Sequence, residues 1–407
     1  VTVFATVFLC YGTIIHVPDD SPGIQQAIDL ASPGDTVLVA PGTYYENIRF
    51  MGKNIVVASH FILGEDPAFI LSTIINGSQP VYADTASCVM FIHGEDSTAV
   101  LAGFTLTGGT GTVWEDEHSP GYWFTEGGGI LIQYSAPTIR NNLIVSNEAI
   151  AEPTGVTSAG GGGIRSGDSN PHILNNIIMN NRGRYGAGIV LNYSGAVMRN
   201  NIISGNYGGE DYGGGGVWCL GNGANPKILE NNTLVNNLAT NYGGGIRLWS
   251  TTVTLTNCIF WGNAAPSSPQ IQGATGIVTY SNVEGGYTGT GNIDADPLFE
   301  GIQNMLGDGS PCIDAGNPDP QHNDPEDPQD PGMALFPSHG SVTNDMGAYG
   351  GPGAQLFPEV ITAAREIYGG GNEVELKVFP NPVSLGVVNV IPLSCLLYTS
   401  DAAVEVV

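Results

Sequence analysis

Basic side chains are scarce in this sequence, in which 11 Lys and Arg face 38 Asp and Glu, giving a formal net charge of −27 over 407 residues. Because phosphate backbones are bound by clustered Lys and Arg, this balance argues against nucleic acid as a partner and disfavours anionic lipid. The six cysteines contain no CxxC pair, so they indicate neither a disulfide framework nor a zinc site, and we expect most to be small buried residues. No segment approaches the roughly 18 consecutive apolar residues of a transmembrane helix.

Glycine is abundant where helix-forming residues are few. The chain has 59 glycines, about twice the usual frequency, which favours repeated turns and strands. A chain of this length usually forms two or three domains, so a single core would have to be elongated.

Two motifs recur along the middle of the chain. The first, NNLIVSN and its relatives, occupies residues 141–147, 175–181, 200–206, 231–237 and 257–263. The second, GGGI or a variant of it, occupies residues 127–130, 161–164, 186–189, 214–217 and 243–246. With the second Asn of each pair (Asn257 in the last) as marker, successive copies are 34, 25, 31 and 25 residues apart. A period of this size indicates stacked supersecondary units.

The residue types predict which unit is repeated. Each copy has short β-branched runs cut by Asn and Gly, with no helical periodicity, and three short strands wound as a parallel β-helix fit about 25 residues. Asn tolerates the left-handed conformation of a tight corner, and identical Asn side chains can hydrogen-bond along a stack. A leucine-rich horseshoe would need fixed Leu positions and a helix in each repeat, and neither is present.

These motifs resemble the right-handed parallel β-helix family with the pectin-lyase-like fold, over residues 14 to about 350. The segment IHVPDDSPGIQQAIDLASPGDTVLVAPGTYYENI is similar to that family's N-terminal cap. We predict a short capping helix with Ser21 as N-cap and Pro22 in its first turn, and with an apolar face of Ile24, Ala27, Ile28 and Ala31. The predicted fold class is therefore all-β, a right-handed parallel β-helix solenoid closed by this helix.

Segments outside the repeat define the remaining predicted domains. Residues 1–13 resemble the tail of a truncated secretory signal peptide, with a first buried strand as the alternative. The β-helix and its cap take residues 14–310, an acidic C-terminal cap region 311–353, and a linker 354–377. Residues 378–393 resemble the start of a type IX secretion C-terminal sorting domain, which implies recognition by secretion machinery and an extracellular or cell-surface location. Residues 394–407 are expected to be an artefactual tail, because CLLYTSDAA resembles a translated sequencing adapter.

Calcium is the one cofactor for which the sequence offers ligands. Acidic residues alternate with Pro between Asp319 and Asp330, and such carboxylates could hold Ca²⁺. Because the spacing of an EF-hand is absent, a solvated, Pro-stiffened loop is the favoured interpretation. Glu115 to His118 together with Glu126 form a second acidic group that could bind a metal or be a hydrated loop. No zinc-protease spacing is present.

Strand alternation assigns the charged residues of the GGGI strands to the outer face. Arg165 and Arg247 must point outward, so Ile164, Ser166, Ile246 and Leu248 point inward. Stacking the copies predicts one outward row of Leu131, Arg165, Val190, Trp218 and Arg247, beside a second row of Gln133, Gly167, Asn192, Leu220 and Trp249. Adjacent members lie about 4.8 Å apart, which brings Trp218 within cation–π reach of Arg247.

Loops that precede the GGGI strands should add aromatic and polar groups to the same face. We predict ligand-binding residues there, namely Arg165, Trp218, Arg247, Trp249, Tyr185, Tyr212 and Tyr242. Aromatic rings beside polar groups suit sugar rings, and the Gly runs are expected to let a chain-like ligand approach the backbone. The alternative is that the Trp side chains pack beneath long loops and the Arg side chains pair with loop acids.

Three functions stay open at this point. The leading prediction is a secreted or surface-displayed monomer that binds polysaccharide or another extended extracellular ligand without catalysis. The second is a lyase or glycoside hydrolase acting on uronate-rich polysaccharide, for which the two rows lack acids and only loop residues such as Glu126, Glu210 and Asp211 are candidates. The third is a structural adhesin or spacer.

Overall fold

The structure, a computed structural model, describes residues 12–208, 212–223, 225–273, 276–301 and 303–359. They belong to a compact unit that ends at Pro358, except for Glu359, which begins a second unit of residues 359–407. The predicted signal-peptide residues 1–11, most of the linker, the sorting-domain start, the tail, and Glu210 and Asp211 lie outside the described residues.

The chain winds through three long parallel sheets, each taking one strand from successive turns. Sheet A contains β1 (Ile14–Val17), β2 (Thr36–Val39), β5 (Val56–Ser59), β9 (Val100–Ala102), β14 (Thr138–Arg140), β19 (His172–Leu174), β23 (Ala196–Arg199), β27 (Lys227–Glu230), β31 (Val253–Thr256) and β34 (Gly276–Thr279). Sheet B contains β3 (Gly42–Tyr44), β6 (Thr73–Asn76), β10 (Thr105–Thr107), β15 (Leu143–Val145), β20 (Ile177–Met179), β24 (Ile202–Ser204), β28 (Thr233–Val235), β32 (Ile259–Trp261) and β35 (Asn282–Val283). Sheet C holds the GGGI strands: β4 (Ile48–Arg49), β8 (Val89–Phe91), β13 (Ile130–Gln133), β18 (Ile164–Gly167), β22 (Ile189–Asn192), β26 (Val217–Leu220), β30 (Ile246–Trp249) and β33 (Ile271–Gln272).

Smaller elements complete the architecture. Sheet D is a short parallel sheet of β16 (Glu148–Ala149), β21 (Arg182–Gly183), β25 (Tyr207–Gly208) and β29 (Leu238–Ala239). Sheet E contains β7 (Thr85–Ala86), β11 (Gly111–Glu115), β12 (Trp123–Glu126) and β17 (Ser158–Gly160), in which β11 and β12 form an antiparallel hairpin. The other elements are β36 (Phe299–Glu300), β37 (Met305–Leu306), α1 (Ile24–Leu30), α2 (Ala68–Ser72) and 3₁₀ turns at His60–Leu63 and Pro320–His322. Among the described residues, neither helix has the length and apolar character needed to cross a membrane.

Two internal ladders of Asn side chains join the turns. Asn142, Asn176, Asn201 and Asn232 form one ladder, and Asn147, Asn181, Asn206, Asn237 and Asn263 form the other. Every amide except the last of each ladder donates to the Asn Oδ1 of the next turn and to a backbone carbonyl, as Asn206 does, and its own Oδ1 accepts from the preceding turn. The predicted stacking of Asn is therefore confirmed, and it satisfies polar groups buried between stacked apolar layers.

The first Asn of each pair lies outside this ladder, at a corner. Asn141, Asn175, Asn200, Asn231 and Asn257 all have positive φ, between 51° and 57°. The register aligns Asn257 with Asn231 and Cys258 with Asn232, so the use of Asn257 as the equivalent of the second Asn was wrong by one residue. Asn tolerates this left-handed conformation better than other residues with a side chain, which explains why the motif begins with Asn. Residues 344–355 run along this column, where Asn231 Nδ2 donates to Asp345 O and Asn200 Nδ2 donates to Ala348 O.

The Gly runs have a structural cause that differs from the predicted one. The first Gly of each run has positive φ, for example +70° at Gly161. A Cβ on Gly162 would lie 2.3 Å from Arg182 O of sheet D, and one on Gly163 would lie 2.5 Å from Gly188 O of the next turn. The glycines thus admit neighbouring backbone of this chain, and the expectation that they admit a ligand was wrong.

The capping helix forms where it was predicted, but its N-terminus is capped differently. Ile24, Ala27, Ile28 and Ala31 are buried as expected. Gly23 is the N-cap and Ser21 does not cap the helix; the Glu46 carboxylate accepts from the backbone N–H groups of Ile24 and Gln25 instead, at 2.9 and 2.8 Å. At the other end Lys53 Nζ donates to three backbone carbonyls, those of Ile28, Asp29 and Ala31. Both helix ends are therefore satisfied by residues that follow the helix in sequence.

Candidate functional site

The outward rows of sheet C have the predicted register. Leu131 pairs with Arg165, Arg165 with Val190, Val190 with Trp218, and Trp218 with Arg247. The second row, from Gln133 through Gly167, Asn192 and Leu220 to Trp249, is paired in the same way. Alternation along the strands thus placed these side chains on the correct face, with Ile164, Ile246 and Leu248 in the core.

Arg165 lies on that face but is buried beneath the β11–β12 hairpin. Its side chain is 1% exposed, Nη2 lies 3.1 Å from Glu126 Oε1, and the same nitrogen lies 3.9 Å from Glu117 Oε2. Gln133 Nε2 donates to Glu126 Oε2 at 3.1 Å. We call Arg165, Glu117, Glu126 and Gln133 the Arg165 cluster. Pairing of this Arg with a loop acid is the alternative that the sequence left open.

Burial dominates the electrostatics of this cluster. It raises the pKa of Glu126 to about 7, because removal from water outweighs the attraction of Arg165 and because Glu117 repels a second negative charge. Burial alone would lower the pKa of the Arg165 guanidinium, but the negative charges of Glu126 and Glu117 have the larger combined effect and raise that pKa. Arg165 is therefore a permanently charged, paired group, poorly suited to accept a proton from a substrate.

The hairpin loop reaches across the turn that follows sheet C. His118 Nε2 lies 3.1 Å from Asp168 Oδ2, and its ring stacks on Tyr193 with centroids 3.7 Å apart. Tyr134, half-exposed in the same column, has its pKa raised by burial and by nearby carboxylates, of which Glu117 has the largest effect. The N-terminal part of the face is therefore acidic.

The C-terminal part of the face is aromatic and basic. Trp249 is 43% exposed, and its ring lies 6.2 Å from that of Tyr212. The Arg247 guanidinium lies 4.7 Å from the Trp249 ring and 4.8 Å from the Tyr242 ring, and Nη1 donates to Tyr212 O. We call Tyr212, Tyr242, Arg247 and Trp249 the aromatic patch. Burial lowers the pKa of Arg247, an effect that the two Tyr residues oppose.

Two predicted site residues lie under this patch. Trp218 is 4% exposed, and its ring packs against Tyr185 at 4.6 Å, while Tyr185 contacts Tyr212 at 5.4 Å. Arg247 is the neighbour of Trp218 in register, as predicted, but its guanidinium lies over Tyr242 and Trp249. Trp218 and Tyr185 are therefore linked to the exposed ring of Trp249 through Tyr212.

The structure brings together six of the seven predicted residues, because Tyr185 links Trp218 to the aromatic patch, while Arg165 lies apart from them in its own cluster. Glu117 and Glu126 belong to the acidic group that the sequence offered as a metal site or a hydrated loop, whereas Gln133 was named only as a member of the outward row. The alternation in GTVWE and WFTE on either side of a turn with Gly121 was a signal for the hairpin. Nothing in the sequence indicates that this hairpin folds over Arg165.

Carboxylates of the acidic C-terminal region accept backbone hydrogen bonds. Asp319 accepts from Gln321 N, Glu326 from Gly332 N, and Asp327 from Gln329 N. Over the described part of the chain, no group of three His, Cys, Asp or Glu side chains is arranged to hold a metal ion. The four described cysteines, Cys88, Cys219, Cys258 and Cys312, are buried and unpaired with one another, as predicted.

Comparison with known proteins agrees with the architecture. A family described as "Right handed beta helix region" matches residues 101–292. The crystal structure of pectate lyase Pel9A is similar at 13% sequence identity and a TM-score of 0.36, over 83% of this chain and 95% of that chain. No curated protein matches the sequence. The sheet order and the family match confirm the predicted all-β, right-handed parallel β-helix.

Proposed function

We propose that this chain is an extracellular or surface-displayed monomer that binds a polysaccharide, or another extended glycan, along the outer face of sheet C without catalysis. The observation that carries the proposal is the aromatic patch. Trp249 presents an exposed ring that contacts the ring of Tyr212 and is flanked by the Arg247 guanidinium, and Tyr212 in turn contacts Tyr185, which packs on Trp218. A sugar ring can stack its apolar face on such a ring while its hydroxyls bond to neighbouring polar groups.

The packing around Trp249 supports a preorganised contact. Its neighbours Tyr212 and Arg247 are joined by the Arg247–Tyr212 hydrogen bond, and Tyr212 also makes an edge-on ring contact with Tyr185. A rigid aromatic anchor loses little conformational entropy on binding, and its truncation removes a central contact. Trp249 is therefore the side chain whose removal should cost the most affinity.

The direct test is binding of Trp249→Ala to a broad glycan panel, followed by titration of each positive glycan. We expect loss of at least about tenfold in affinity, equivalent to about 1.4 kcal/mol. Tyr45→Ala is the matched control, because Tyr45 is 52% exposed on the turn after β3 and lies on another part of the solenoid. Absence of binding across the panel would favour a spacer or adhesin, and equal losses in both variants would refute the aromatic patch.

A lyase or glycoside hydrolase is the second candidate, and Glu126 is the observation that favours it. A carboxyl group with a pKa of about 7 suits a general acid, and Glu117 approaches the same Arg165 nitrogen. Against it, both carboxylates are buried under the hairpin and Arg165 is already paired. Release of unsaturated uronate or of reducing ends from pectins, alginates or glycosaminoglycans, abolished in Glu126→Gln, would establish catalysis in place of binding alone.

A further inference from the structure

We propose that the space above Gly167 is a binding site for a calcium-class cation, held by Glu117, Gln133 and Asn192. The inference stands apart from glycan binding, because it concerns buried oxygen atoms under the hairpin and not the exposed aromatic patch. It differs as well from the acidic segment at residues 319–330, whose carboxylates already accept backbone hydrogen bonds.

Two acceptor oxygens converge on the glycine. A Cβ built on Gly167 would lie 2.2 Å from Gln133 Oε1 and 2.3 Å from Glu117 Oε1. The two oxygens are therefore no farther apart than the sum of these distances. Gln133 precedes Gly167 in the outward row of sheet C and Asn192 follows it. The absent side chain of Gly167 thus lets the Gln133 and Glu117 oxygens come close to the strand beside a second amide-bearing residue.

These oxygens are buried and have no hydrogen-bond donor within the described residues. The Glu117 side chain is 2% exposed and neither carboxylate oxygen has a donor. Gln133 is fully buried, its Nε2 donates to Glu126, and its Oε1 has no donor. Asn192 Oδ1 is also buried and accepts no hydrogen bond from the described residues. Acceptors that face one another without a donor repel, and leaving them unsatisfied costs about 1–3 kcal/mol each.

The charge of the Arg165 cluster favours a cation at this place. Arg165 supplies one positive charge against Glu117 and Glu126, and its closer contact is to Glu126. Asp116 adds a further negative charge close enough to act on Glu126, and Asp168 acts with it on Tyr134. An uncompensated buried charge costs several kcal/mol, and a bound cation would offset it.

The donor set selects among cations. Carboxylate and amide oxygens are hard ligands of the kind that Ca²⁺ takes, at about 2.3–2.6 Å and in flexible geometry. Mg²⁺ requires near-octahedral coordination at shorter distances, and transition metals prefer the nitrogen or sulfur ligands that this set lacks.

A cation here would connect two parts of the fold. Glu117 belongs to the loop between β11 and β12, while Gln133 and Asn192 belong to the wall of sheet C. The metal would therefore fasten the hairpin loop over Arg165 and keep that guanidinium away from solvent.

The test is calorimetric titration of CaCl₂ into the chelator-treated full chain, at about 0.15 M salt to screen the acidic surface. We expect one saturable site per chain and a higher melting temperature with Ca²⁺ than without it. Glu117→Gln should weaken the affinity at least about tenfold, because it removes the only anionic ligand. Asn192→Leu should weaken it as well, and circular dichroism verifies that each variant is folded.

Glu115→Gln is the matched control. Glu115 is an exposed acid on the same hairpin whose Oε1 accepts from Gly121 N, so its substitution removes one surface charge and keeps that acceptor. We expect the Ca²⁺ affinity of this variant to change less than about threefold. No uptake by the wild-type chain would overturn the proposal and would mean that the Gln133 amide is turned with its N–H groups toward Glu117. Equal weakening by both substitutions would indicate surface charge only.

Discussion

Removal of one ladder amide should destabilise the solenoid far more than removal of an Asn side chain at a corner. Asn206 Oδ1 accepts from Asn181 N and Asn181 Nδ2, both at 3.0 Å, and its Nδ2 donates to Ile178 O and Asn237 Oδ1, both at 2.9 Å. Asn206→Ala deletes all four hydrogen bonds at a fully buried position. At about 1 kcal/mol net for each bond, we expect the free energy of unfolding to fall by about 4 kcal/mol.

The assay is urea unfolding followed by Trp fluorescence, with amide hydrogen exchange to locate the weakened turns. Asn180→Gly is the control, because Asn180 is exposed and has positive φ, and Gly205 and Gly262 occupy the same column in later turns. We expect a change of less than about 1 kcal/mol there. If Asn206→Ala unfolds at the same urea concentration as this control, the ladder does not hold the turns together.

The remaining predictions concern buried charges. Lys227 is 2% exposed, its Nζ donates to Gly221 O as its one hydrogen bond within the described residues, and burial lowers its pKa. Lys227→Met should therefore raise the free energy of unfolding by about 1–2 kcal/mol in urea titrations. Lys53→Met removes three hydrogen bonds to the C-terminal end of α1 and should lower the free energy of unfolding by a similar amount. Burial raises the pKa of Asp324 to about 8 and that of Asp345 to about 7, so folding favours their protonated forms. The urea midpoint should therefore fall as pH rises from about 4 to 8, and Asp324→Asn should flatten that dependence; a midpoint that rises over this range would contradict the assignment.

The parts of the fold and of the candidate site that could be predicted from the sequence are those where the same residue types repeat at equivalent positions of successive turns. Four of the five copies have an Asn pair with one member for the corner and one for the ladder, and both roles follow from local physics that these copies share, whereas Cys258 takes the ladder position in the fifth. The outward direction of Arg165, Trp218 and Arg247 followed in the same way, because alternation along a strand leaves two faces and the charged residues settle the choice.

The features that could not be predicted from the sequence depend on contacts between segments that are far apart in the chain. Burial of Arg165 depends on where the β11–β12 hairpin folds, and burial of Trp218 depends on Tyr185 from the loop of the preceding turn. The GGG runs were misinterpreted for a similar reason, since their neighbours are backbone carbonyls from sheet D and from the next turn. The carboxylate that accepts from the first backbone N–H groups of α1 likewise belongs to Glu46, which lies 22 residues after Ile24.

The ladders also define where this solenoid tolerates added sequence. Between the two ladder residues of one turn, such as Asn201 and Asn206, every strand residue has a fixed register to its neighbours, and one inserted residue would uncouple both ladders. Between sheet D and the next GGG run no such constraint applies, and there the natural turns differ in length. Duplication of the 25-residue segment 176–200 should therefore add a complete turn, while new surface loops belong before the glycines. The protein can thus be lengthened along its axis and diversified on one side by separate changes.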